Sequence, residues 1–387
     1  MRKMKLAMLI VFCVMLFGGT VVSFVLPDRE FSDVENRELA MKPKITAKRI
    51  LSGEYQKEYD TYLSDQFFFR DKWVDLAVRE QIALGKKDFN GVYLGKNNYL
   101  LEKYEKADFD SGQIKENETY LTTFLNETEK RYGRKHVRAM FVPSKTTALT
   151  NVLPAYADTI DWQSMIRDLQ TKVDEPNLIY DLTKTMQSHN EEYIYYRTDH
   201  HWTTLGAYYA YTEFCKAKGI TPESLDAYSK KQDFDGFLGS FYNDTSDAKL
   251  KANPDTVTAY YPNAESICHV TASDGKKYDW PVIYDVSNYN AGLKYSTFIA
   301  SDNPYTEIEN KDLSDGSSCI VVKESFGNAF IPFLVDHYQT VYVVDYRYWT
   351  GSISKLAQDK KVNDVLFLNN LSMIRNKSLV GKLYRVL

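Results

Sequence analysis

Short apolar runs alternate with segments of helical periodicity along the C-terminal two thirds of the chain. The runs lie at Val137–Val142, Leu178–Tyr180, Ser318–Val322, Val341–Val344 and Val365–Leu368. Helical patterns lie among them, over residues 114–132, 182–188 and 205–218. Apolar strands joined by helices are typical of a parallel sheet that is covered on both faces. The pattern therefore predicts an α/β domain built on a parallel sheet.

Residues 229–300 interrupt this alternation. The segment is rich in Gly, Asn and Asp, and its apolar pieces are short and favour strands, at Val257–Tyr261, Ile267–Val270 and Val282–Asp285. We interpret it as a β-rich insertion within a single α/β domain that extends over residues 106–387.

The segment before this domain, residues 27–105, is interpreted as a stalk and adapter. Its first part mixes charged residues with proline and shows little periodicity, as an extended tether does. Apolar residues then recur at helical spacing over residues 53–85, with a break near Phe68, which predicts two helices. Two short apolar pieces between Val92 and Leu101, separated by a Lys-Asn-Asn turn, predict a β-hairpin.

The N-terminus carries three basic residues, Arg2, Lys3 and Lys5, ahead of a charge-free apolar run from Leu6 to Leu26. A helix over this run is long enough to span a bilayer. Basic residues before a span favour a cytoplasmic N-terminus. We therefore expect residues 1–26 to form a single-pass anchor in the cell membrane, with the rest of the chain extracytoplasmic. The alternative is a cleaved signal peptide, although no A-x-A-like site follows the run.

Composition narrows the classes of function. The formal net charge is −4 and the pI is about 6.0, so nothing indicates binding to nucleic acid. The cysteines beyond the anchor, Cys215, Cys268 and Cys319, are odd in number and imply no disulfide framework. Tyrosine is abundant, at 30 residues, which suits either a surface that binds sugars or a tyrosine-rich core.

The greatest chemical capacity lies in the motif Asp199-His200-His201-Trp202, between a strand-like run and a predicted helix. In an extended segment alternate side chains share a face, so we expect Asp199 and His201 to point one way and His200 the other. An aspartate can accept the Nδ1 proton of a histidine and leave Nε2 free to take a proton from a nucleophile. Diverging histidines do not converge on one ion, so we expect no metal here.

The candidate nucleophile is Ser325. An apolar strand ending at Val322 leads to this serine, and an apolar helix follows it. A serine at the carboxyl end of a parallel strand has backbone N–H groups beside its hydroxyl, and these can form half of an oxyanion hole. With Asp199 and His201, Ser325 would complete a catalytic triad in the order Asp, His, Ser.

An ordered set of motifs resembles those of the DHHW protein family and, through it, the SGNH-hydrolase-like O-acetyltransferases of bacterial exopolysaccharides such as alginate. Besides the apolar N-terminal segment, the motifs are ENR at 35–37, DQFFFRD at 65–71, GVYLGK at 91–96, VPSK at 142–145, TDHHWT at 198–203, ESFGNAFIPFL at 324–334, HY at 337–338 and DYRYW at 345–349. The resemblance implies an SGNH-like, doubly wound sheet in which Asp199, His201 and Ser325 are the triad. Where those enzymes have Gly-Asp before the serine, this chain has Lys323 and Glu324, so a bulky residue stands where a close backbone approach is expected.

The function that the resemblance implies is O-acetyl transfer to a hydroxyl of a cell-surface or secreted polysaccharide, through an acetyl-serine intermediate. It implies no cofactor, and it implies a multi-pass membrane acyltransferase as the partner that supplies acetyl groups. Two alternatives are an acetylesterase of the same fold and a non-catalytic protein that binds polysaccharide within an export or acetylation complex.

Further residues are candidates for contact with substrate. The second oxyanion donor is expected from Asn328 or Asn303. Lys145 follows a strand, where it is either a substrate contact or, as we favour, a surface charge at the start of a helix.

The remaining candidates flank the proposed triad. His200 either contacts substrate or bonds a loop, and Trp202 is interpreted as a packing anchor in preference to a platform for a sugar. Arg347 pairs with either Asp345 or the carboxylate of an acidic sugar, and the sequence does not decide between these two partners.

Overall fold

The computed structural model of the protein describes residues 2–29, 31–32, 37–89, 91–105, 109–245 and 248–387. These residues form two compact units. The smaller unit comprises Met1–Lys86 with Tyr242–Ala252, and the larger comprises Lys87–Phe241 with Asn253–Leu387. Two residues of the ENR motif, Glu35 and Asn36, lie outside the described residues.

Helices and strands occur throughout both units. In chain order, the helices are α1 Arg2–Cys13, α2 Gly19–Val25, α3 Ala47–Leu51, α4 Glu54–Asp65, α5 Arg70–Ala83, α6 Ser111–Tyr132, α7 Lys145–Ala148, α8 Trp162–Lys172, α9 Thr183–Ser188, α10 Thr204–Lys218, α11 Ser240–Thr245, α12 Ala248–Ala252, α13 Gly327–Phe330, α14 Ile353–Lys360 and α15 Lys377–Arg385. The strands are β1 Phe31–Ser32, β2 Arg37–Glu38, β3 Asp88–Phe89, β4 Val92–Leu94, β5 Leu100–Glu102, β6 Val137–Val142, β7 Ile179–Asp181, β8 Lys231–Phe237, β9 Asp255–Tyr260, β10 Ser266–Thr271, β11 Lys277–Trp280, β12 Tyr305–Asn310, β13 Ser318–Lys323, β14 Thr340–Asp345 and β15 Asp364–Asn370.

An eight-stranded sheet organises the larger unit, in the order β11-β10-β12-β14-β13-β15-β6-β7. The strands from β14 to β7 are parallel, as predicted. The strands β12, β10 and β11 extend the other edge antiparallel to their neighbours. The sheet is therefore mixed, and the prediction of a parallel sheet was wrong at this edge. A short turn joins β10 to β11, and a connection of that length allows only antiparallel pairing.

Both faces of this sheet are covered. In β13, Cys319 and Val321 pack into one core with α10, whereas Ile320 and Val322 pack into the other with α6 and α8. This explains why the strand is continuously apolar: alternate side chains point to opposite faces, and each face is buried. Burial of one such side chain contributes about 1.5–3 kcal/mol.

The predicted insertion is rich in strands but is not separate from the sheet. Its strands β10 and β11 belong to the main sheet, while β8 and β9 pair as a two-stranded antiparallel sheet. The expected strand at Val282–Asp285 is reduced to a single bridge between Ile283 and Phe298.

The predicted hairpin is present as β4 and β5, which pair antiparallel. The strand β3 pairs with the other edge of β4. It belongs to the larger unit. In the smaller unit, α4 and α5 are the two predicted helices, and the chain between them turns through Phe69, whose φ of 52° is left-handed. The domain boundaries inferred from the sequence stay predictions.

The apolar N-terminal run forms α1 and α2, with a π-helical turn over Val14–Gly18 between them. Among the described residues, no single helix combines the length and apolar character needed to cross a membrane. The membrane anchor and the extracytoplasmic location stay predictions.

Candidate active site

The Asp199–Trp202 motif lies in a tight loop. Tyr195 and Trp202 form an antiparallel bridge, and the Tyr196 amide donates to the carbonyl of His201 at 3.2 Å. Because the backbone between these residues is bent, side chains do not alternate as they do in a strand. The rings of His200 and His201 lie 3.8 Å apart between centroids, so the expectation that they diverge was wrong.

Three of the predicted residues form one hydrogen-bonded row. Asp199 Oδ1 lies 2.6 Å from His201 Nδ1, and His201 Nε2 lies 2.7 Å from Ser325 Oγ. All three residues are buried, and the second bond joins residues that are 124 positions apart in the sequence. The row can carry a proton from the serine to the imidazole while the carboxylate fixes the tautomer.

The Asp199 carboxylate is held from its other side by the start of α11. Ser240 donates to Oδ2 through its backbone amide at 2.7 Å and its hydroxyl at 3.0 Å. A Cβ at Gly239 would lie 2.2 Å from the Asp199 side chain, so a larger residue there would displace the carboxylate. Burial alone would raise the pKa of Asp199, but the charges of His200 and His201 and the bonds from His201 hold it well below its usual value.

Lys145 contacts the backbone of the loop that carries Asp199 and His201. Its side chain is completely buried, and Nζ donates to the carbonyls of Asp199 at 2.5 Å and Leu100 at 2.6 Å. Burial lowers the pKa of Lys145 to about 8. The favoured expectation of a surface charge was wrong, because the ammonium points into the protein. There, two carbonyl oxygens accept the hydrogen bonds that water accepts at the surface.

Ser325 lies in a turn between β13 and α13. The Trp202 indole donates to the carbonyl of Phe326 at 3.0 Å, and the Tyr295 hydroxyl donates to the carbonyl of Ser325 at 3.0 Å. The ring of Tyr295 also stacks on the His201 imidazole, with centroids 4.1 Å apart. Trp202 is fully buried, which is the packing role interpreted from the sequence, and Tyr295 contacts both the base and the nucleophile turn.

Glu324 stands directly beside the serine hydroxyl. Its Oε2 lies 3.3 Å from Ser325 Oγ and accepts the Phe326 amide at 3.2 Å, while Oε1 accepts the Asn370 amide at 2.9 Å. Burial raises the pKa of this carboxyl against the opposing charge of Arg347. The side chain is therefore fixed at the end of the sheet with an oxygen next to the nucleophile.

Lys323 points away from the serine into a buried ion cluster. Its Nζ lies 3.0 Å from both Asp302 and Asp345, and Arg347 pairs with the same two carboxylates. Burial opposes the charge of Lys323, but the two aspartates raise its pKa. The long side chain of Lys323 is thus accommodated two residues before Ser325. It packs against Gly327, where an added Cβ would lie 2.7 Å from the Lys323 side chain. Of the two partners considered for Arg347, the structure supplies Asp345.

The two asparagines predicted as oxyanion donors are engaged elsewhere. Asn328 Nδ2 donates to Asp302 at 2.9 Å, and Asn303 Nδ2 donates to the carbonyl of Ala300 at 2.7 Å. The Ser325 amide donates no hydrogen bond to any group in the described part of the chain. The backbone donor expected at the nucleophile is therefore available.

His200 Nδ1 lies 2.8 Å from Ser240 Oγ, so this histidine bonds a loop, one of the two roles considered for it. Burial, with the neighbouring charge of His201, lowers the pKa of His200 to about 4. Asp199, His200 and His201 offer ligand atoms within 4.8 Å of one another, which a metal could share. However, both nitrogens of His201 already have protein partners, Asp199 and Ser325. The hydrogen-bonded row is the arrangement that these atoms fit.

Sequence reasoning missed Gly239, Ser240 and Tyr295. Ser240 and Gly239 lie about forty residues from Asp199 in the sequence, and no local pattern connects them. Tyr295 was one of 30 tyrosines and carried no distinguishing signal. Glu324 was visible only as a departure from the expected motif.

The fold and the hydrogen-bonded row define an α/β protein with a serine, a histidine and an aspartate at the carboxyl edge of a mixed sheet. The DHHW protein family model matches residues 133–344, which is more than half of the chain. The chain belongs to the DHHW family. A comparison with curated proteins found no match.

Solved structures show related folds. A DHHW family protein from Eubacterium siraeum is 27% identical, with a TM-score of 0.66 over 78% of this chain and 97% of that one. Bacillus cereus PatB1 with a sulfonyl adduct is 22% identical, with a TM-score of 0.59 over 74% of this chain and 97% of that one. The O-acetyltransferase domain of Pseudomonas putida AlgJ is 15% identical, with a TM-score of 0.44 over 76% and 98%. PatB1 establishes similarity of fold alone, and the likeness to AlgJ is too distant to carry a conclusion.

Proposed function

We propose that this chain is an O-acetyltransferase that acylates hydroxyl groups of a cell-surface or secreted polysaccharide through an acetyl-serine intermediate. The observation that carries the proposal is the row of Asp199, His201 and Ser325, with contacts of 2.6 and 2.7 Å. Its position at the carboxyl end of a parallel strand is where α/β sheets present their reactive groups. The resemblance of the family to polysaccharide acetyltransferases supports acetyl as the acyl group and a sugar hydroxyl as the acceptor.

The first half of the reaction forms the intermediate. Ser325 Oγ attacks the acyl carbon of the donor while its proton passes to His201 Nε2. The bond between that carbon and the donor's leaving oxygen then breaks, and the leaving oxygen takes the proton from His201. The Asp199 carboxylate, which stays ionised because its pKa is held low, stabilises the imidazolium that exists between these steps.

The second half transfers the acetyl group. His201 removes the proton of an incoming sugar hydroxyl, whose oxygen attacks the acetyl carbon, and the proton returns to Ser325 as its bond to that carbon breaks. If water replaces the sugar, the same steps hydrolyse the ester. Transfer and esterase activity therefore differ only in which hydroxyl reaches the acetyl-serine.

The same proposal places the protein at the cell membrane, single-pass, with the site extracytoplasmic. It is supported by the charge-free run from Leu6 to Leu26 behind basic residues, in which Leu9 and Phe12 are 57% and 60% exposed. The acetyl donor would be delivered by a multi-pass membrane acyltransferase.

The test uses the full chain purified in detergent and an activated acetyl ester. The parent should hydrolyse the ester, and an acceptor oligosaccharide should divert acetyl groups from water to sugar. Ser325→Ala should abolish both reactions, whereas Ser273→Ala, an exposed serine in the β10–β11 turn, should behave as the parent. If Ser325→Ala hydrolyses and transfers as well as the parent, a polysaccharide-binding role replaces the catalytic one.

Location is tested separately in cells. The protein should stay with membranes through a high-salt wash and be cleaved by protease added to intact protoplasts. Recovery of a shortened soluble form would show instead that the N-terminal run is a signal peptide.

A further inference from the structure

The contact between Glu324 and Ser325 depends on where the hydrogens lie. The serine hydroxyl has one hydrogen and two acceptor neighbours, His201 Nε2 at 2.7 Å and Glu324 Oε2 at 3.3 Å. Because Asp199 takes the proton on His201 Nδ1, Nε2 is the acceptor, and the serine hydrogen belongs to that bond. The contact with Glu324 then has a hydrogen only if the carboxyl supplies one.

The backbone around Glu324 fixes the position of its carboxyl. The backbone N–H of Asn370 donates to Oε1 and the backbone N–H of Phe326 donates to Oε2. Both oxygens are therefore fixed, and the carboxyl cannot turn away. A carboxylic oxygen that donates its hydrogen still has a lone pair for the Phe326 amide. The residue is half-buried. Burial opposes its ionised form, whereas the two amides favour that form.

We propose that Glu324 is a catalytic residue that, in its acid form, donates a hydrogen bond to the acyl oxygen when Ser325 is acylated and deacylated. The inference rests on the proposed acetyl-serine chemistry. An acyl oxygen is bonded to the carbon that Ser325 Oγ attacks, so it enters the region next to Oγ that Glu324 Oε2 and the Ser325 amide border. An acid and a backbone N–H together supply the two donors of an oxyanion site.

The step balances without any other reactant. As Oγ bonds to the acyl carbon, the π electron pair of the carbonyl moves onto its oxygen, and the serine proton moves to His201. Glu324 shares its hydrogen with that oxygen and holds it again when the carbonyl re-forms and the leaving oxygen departs with the proton from His201. Glu324 is unchanged after each half-reaction.

Charged and titratable neighbours set the pH up to which Glu324 keeps its acid form. Burial raises the pKa of Glu324, whereas the charge of Arg347, the Asn370 and Phe326 amides and His200 lower it, and the rise prevails. Tyr295 and Tyr346 also lie close enough to interact with it and are neutral here, because burial raises both of their pKa values. The acid form should therefore last to higher pH than in an exposed glutamate, and activity should fall as pH rises through this pKa.

Three variants test the proposal. Glu324→Gln keeps a donor that does not titrate, so it should keep kcat within a few-fold of the parent and lose the alkaline fall. Glu324→Ala removes the donor and should lower kcat about 10²- to 10³-fold with KM little changed. Glu309→Gln, at an exposed position of β12, is the matched loss of a carboxylate and should change neither value. If Glu324→Gln is as weak as Glu324→Ala while melting at the parent's temperature, or keeps the alkaline fall, the proposal is overturned.

A second measurement does not depend on acetyl transfer. The infrared difference spectrum between the parent and Glu324→Gln should contain the carbonyl band of a protonated carboxyl at the pH of highest activity, and the band should disappear as pH is raised. A Glu324 that is ionised at the pH of highest activity overturns the inference even if Ser325 proves catalytic. If ester hydrolysis proves independent of Ser325, the proposed function fails, and with it the catalytic role of Glu324, whatever the spectrum shows.

Discussion

Two lysines are completely buried beside the candidate active site, and each supports a different half of it. Lys145 lies under the loop that carries Asp199 and His201, where its ammonium contacts the carbonyls of Asp199 and Leu100. Lys323 lies at the end of the strand that leads to Ser325, between two aspartates. The ammonium of Lys145 donates hydrogen bonds to carbonyls, whereas that of Lys323 forms ion pairs with carboxylates.

The consequence appears in the direction of their pKa values. Burial lowers that of Lys145 to about 8, whereas the carboxylates of Asp345 and Asp302 raise that of Lys323. Burial alone therefore does not decide whether a lysine keeps its charge, since the partners do. The base loop therefore contacts a lysine whose pKa is lowered, and the nucleophile turn follows one whose pKa is raised.

The largest expected effect comes from breaking the bond that joins the two halves. Ser325→Ala and His201→Ala should each lower kcat for an acetyl ester by about 10⁴- to 10⁶-fold, and the double variant should be no worse than either, because the row acts as a unit. Asp199→Asn should cost about ten- to a hundredfold less, because it leaves the base in place. Steady-state kinetics of the parent and these four variants provide the measurement. Additive losses in the double variant would show that the two residues act separately.

The next effect concerns the nucleophile half. Lys323→Met leaves Arg347 to balance the two carboxylates of Asp302 and Asp345, so the free energy of unfolding should fall by about 3–5 kcal/mol. Denaturant unfolding measures this value. The control is Lys360→Met, which breaks an exposed pair with Glu307 and should cost no more than about 1 kcal/mol. Equal losses in the two variants would contradict the difference drawn between buried and exposed pairs.

In the half of the site that carries His201, Lys145 should make the free energy of unfolding depend on pH. Between pH 8 and 10.5 folded Lys145 has released its proton while the unfolded chain, with a pKa of 10.5, retains it. The unfolded state then binds more protons, so stability rises with pH in this window, by about 3 kcal/mol in total, and does not change on this account below it. Lys145→Met should lack that rise, which unfolding at a series of pH values measures. Parallel stability curves for the two proteins would mean that the lysine does not titrate there.

The smallest expected effect is that of a chelator. If His201 serves Asp199 and Ser325, EDTA should leave the ester hydrolysis rate unchanged, as should added zinc. Activity that is lost in EDTA and restored by zinc would assign the Asp199–His201 cluster to a metal.

The parts of the fold that sequence predicted are those in which local pattern and tertiary environment agree. The apolar run of β13 had to be buried on both faces, and the periodicity of α10 required an apolar side. The antiparallel edge was not predicted, because strands such as β10 have the same apolar content whichever way their neighbours run.

The site shows the same division. Asp199 and His201 were paired correctly although their shared direction was predicted from an extended backbone, and that assumption put His200 on the wrong side. Lys145 was placed on the surface because a lysine is rarely buried, and nothing nearby in the sequence announces the two carbonyls that receive it. Contacts from distant segments, such as Ser240, are not encoded locally.

The strand order also fixes when the site comes into existence during synthesis. The strand that leads to Ser325, β13, is separated in the sheet from the earlier strands β6 and β7 by β15, which is the last strand made. Until residues 364–370 have been added, β13 has no strand that joins it to β6. We therefore expect the sheet beneath the relay to close only after the strand β15 has been synthesised.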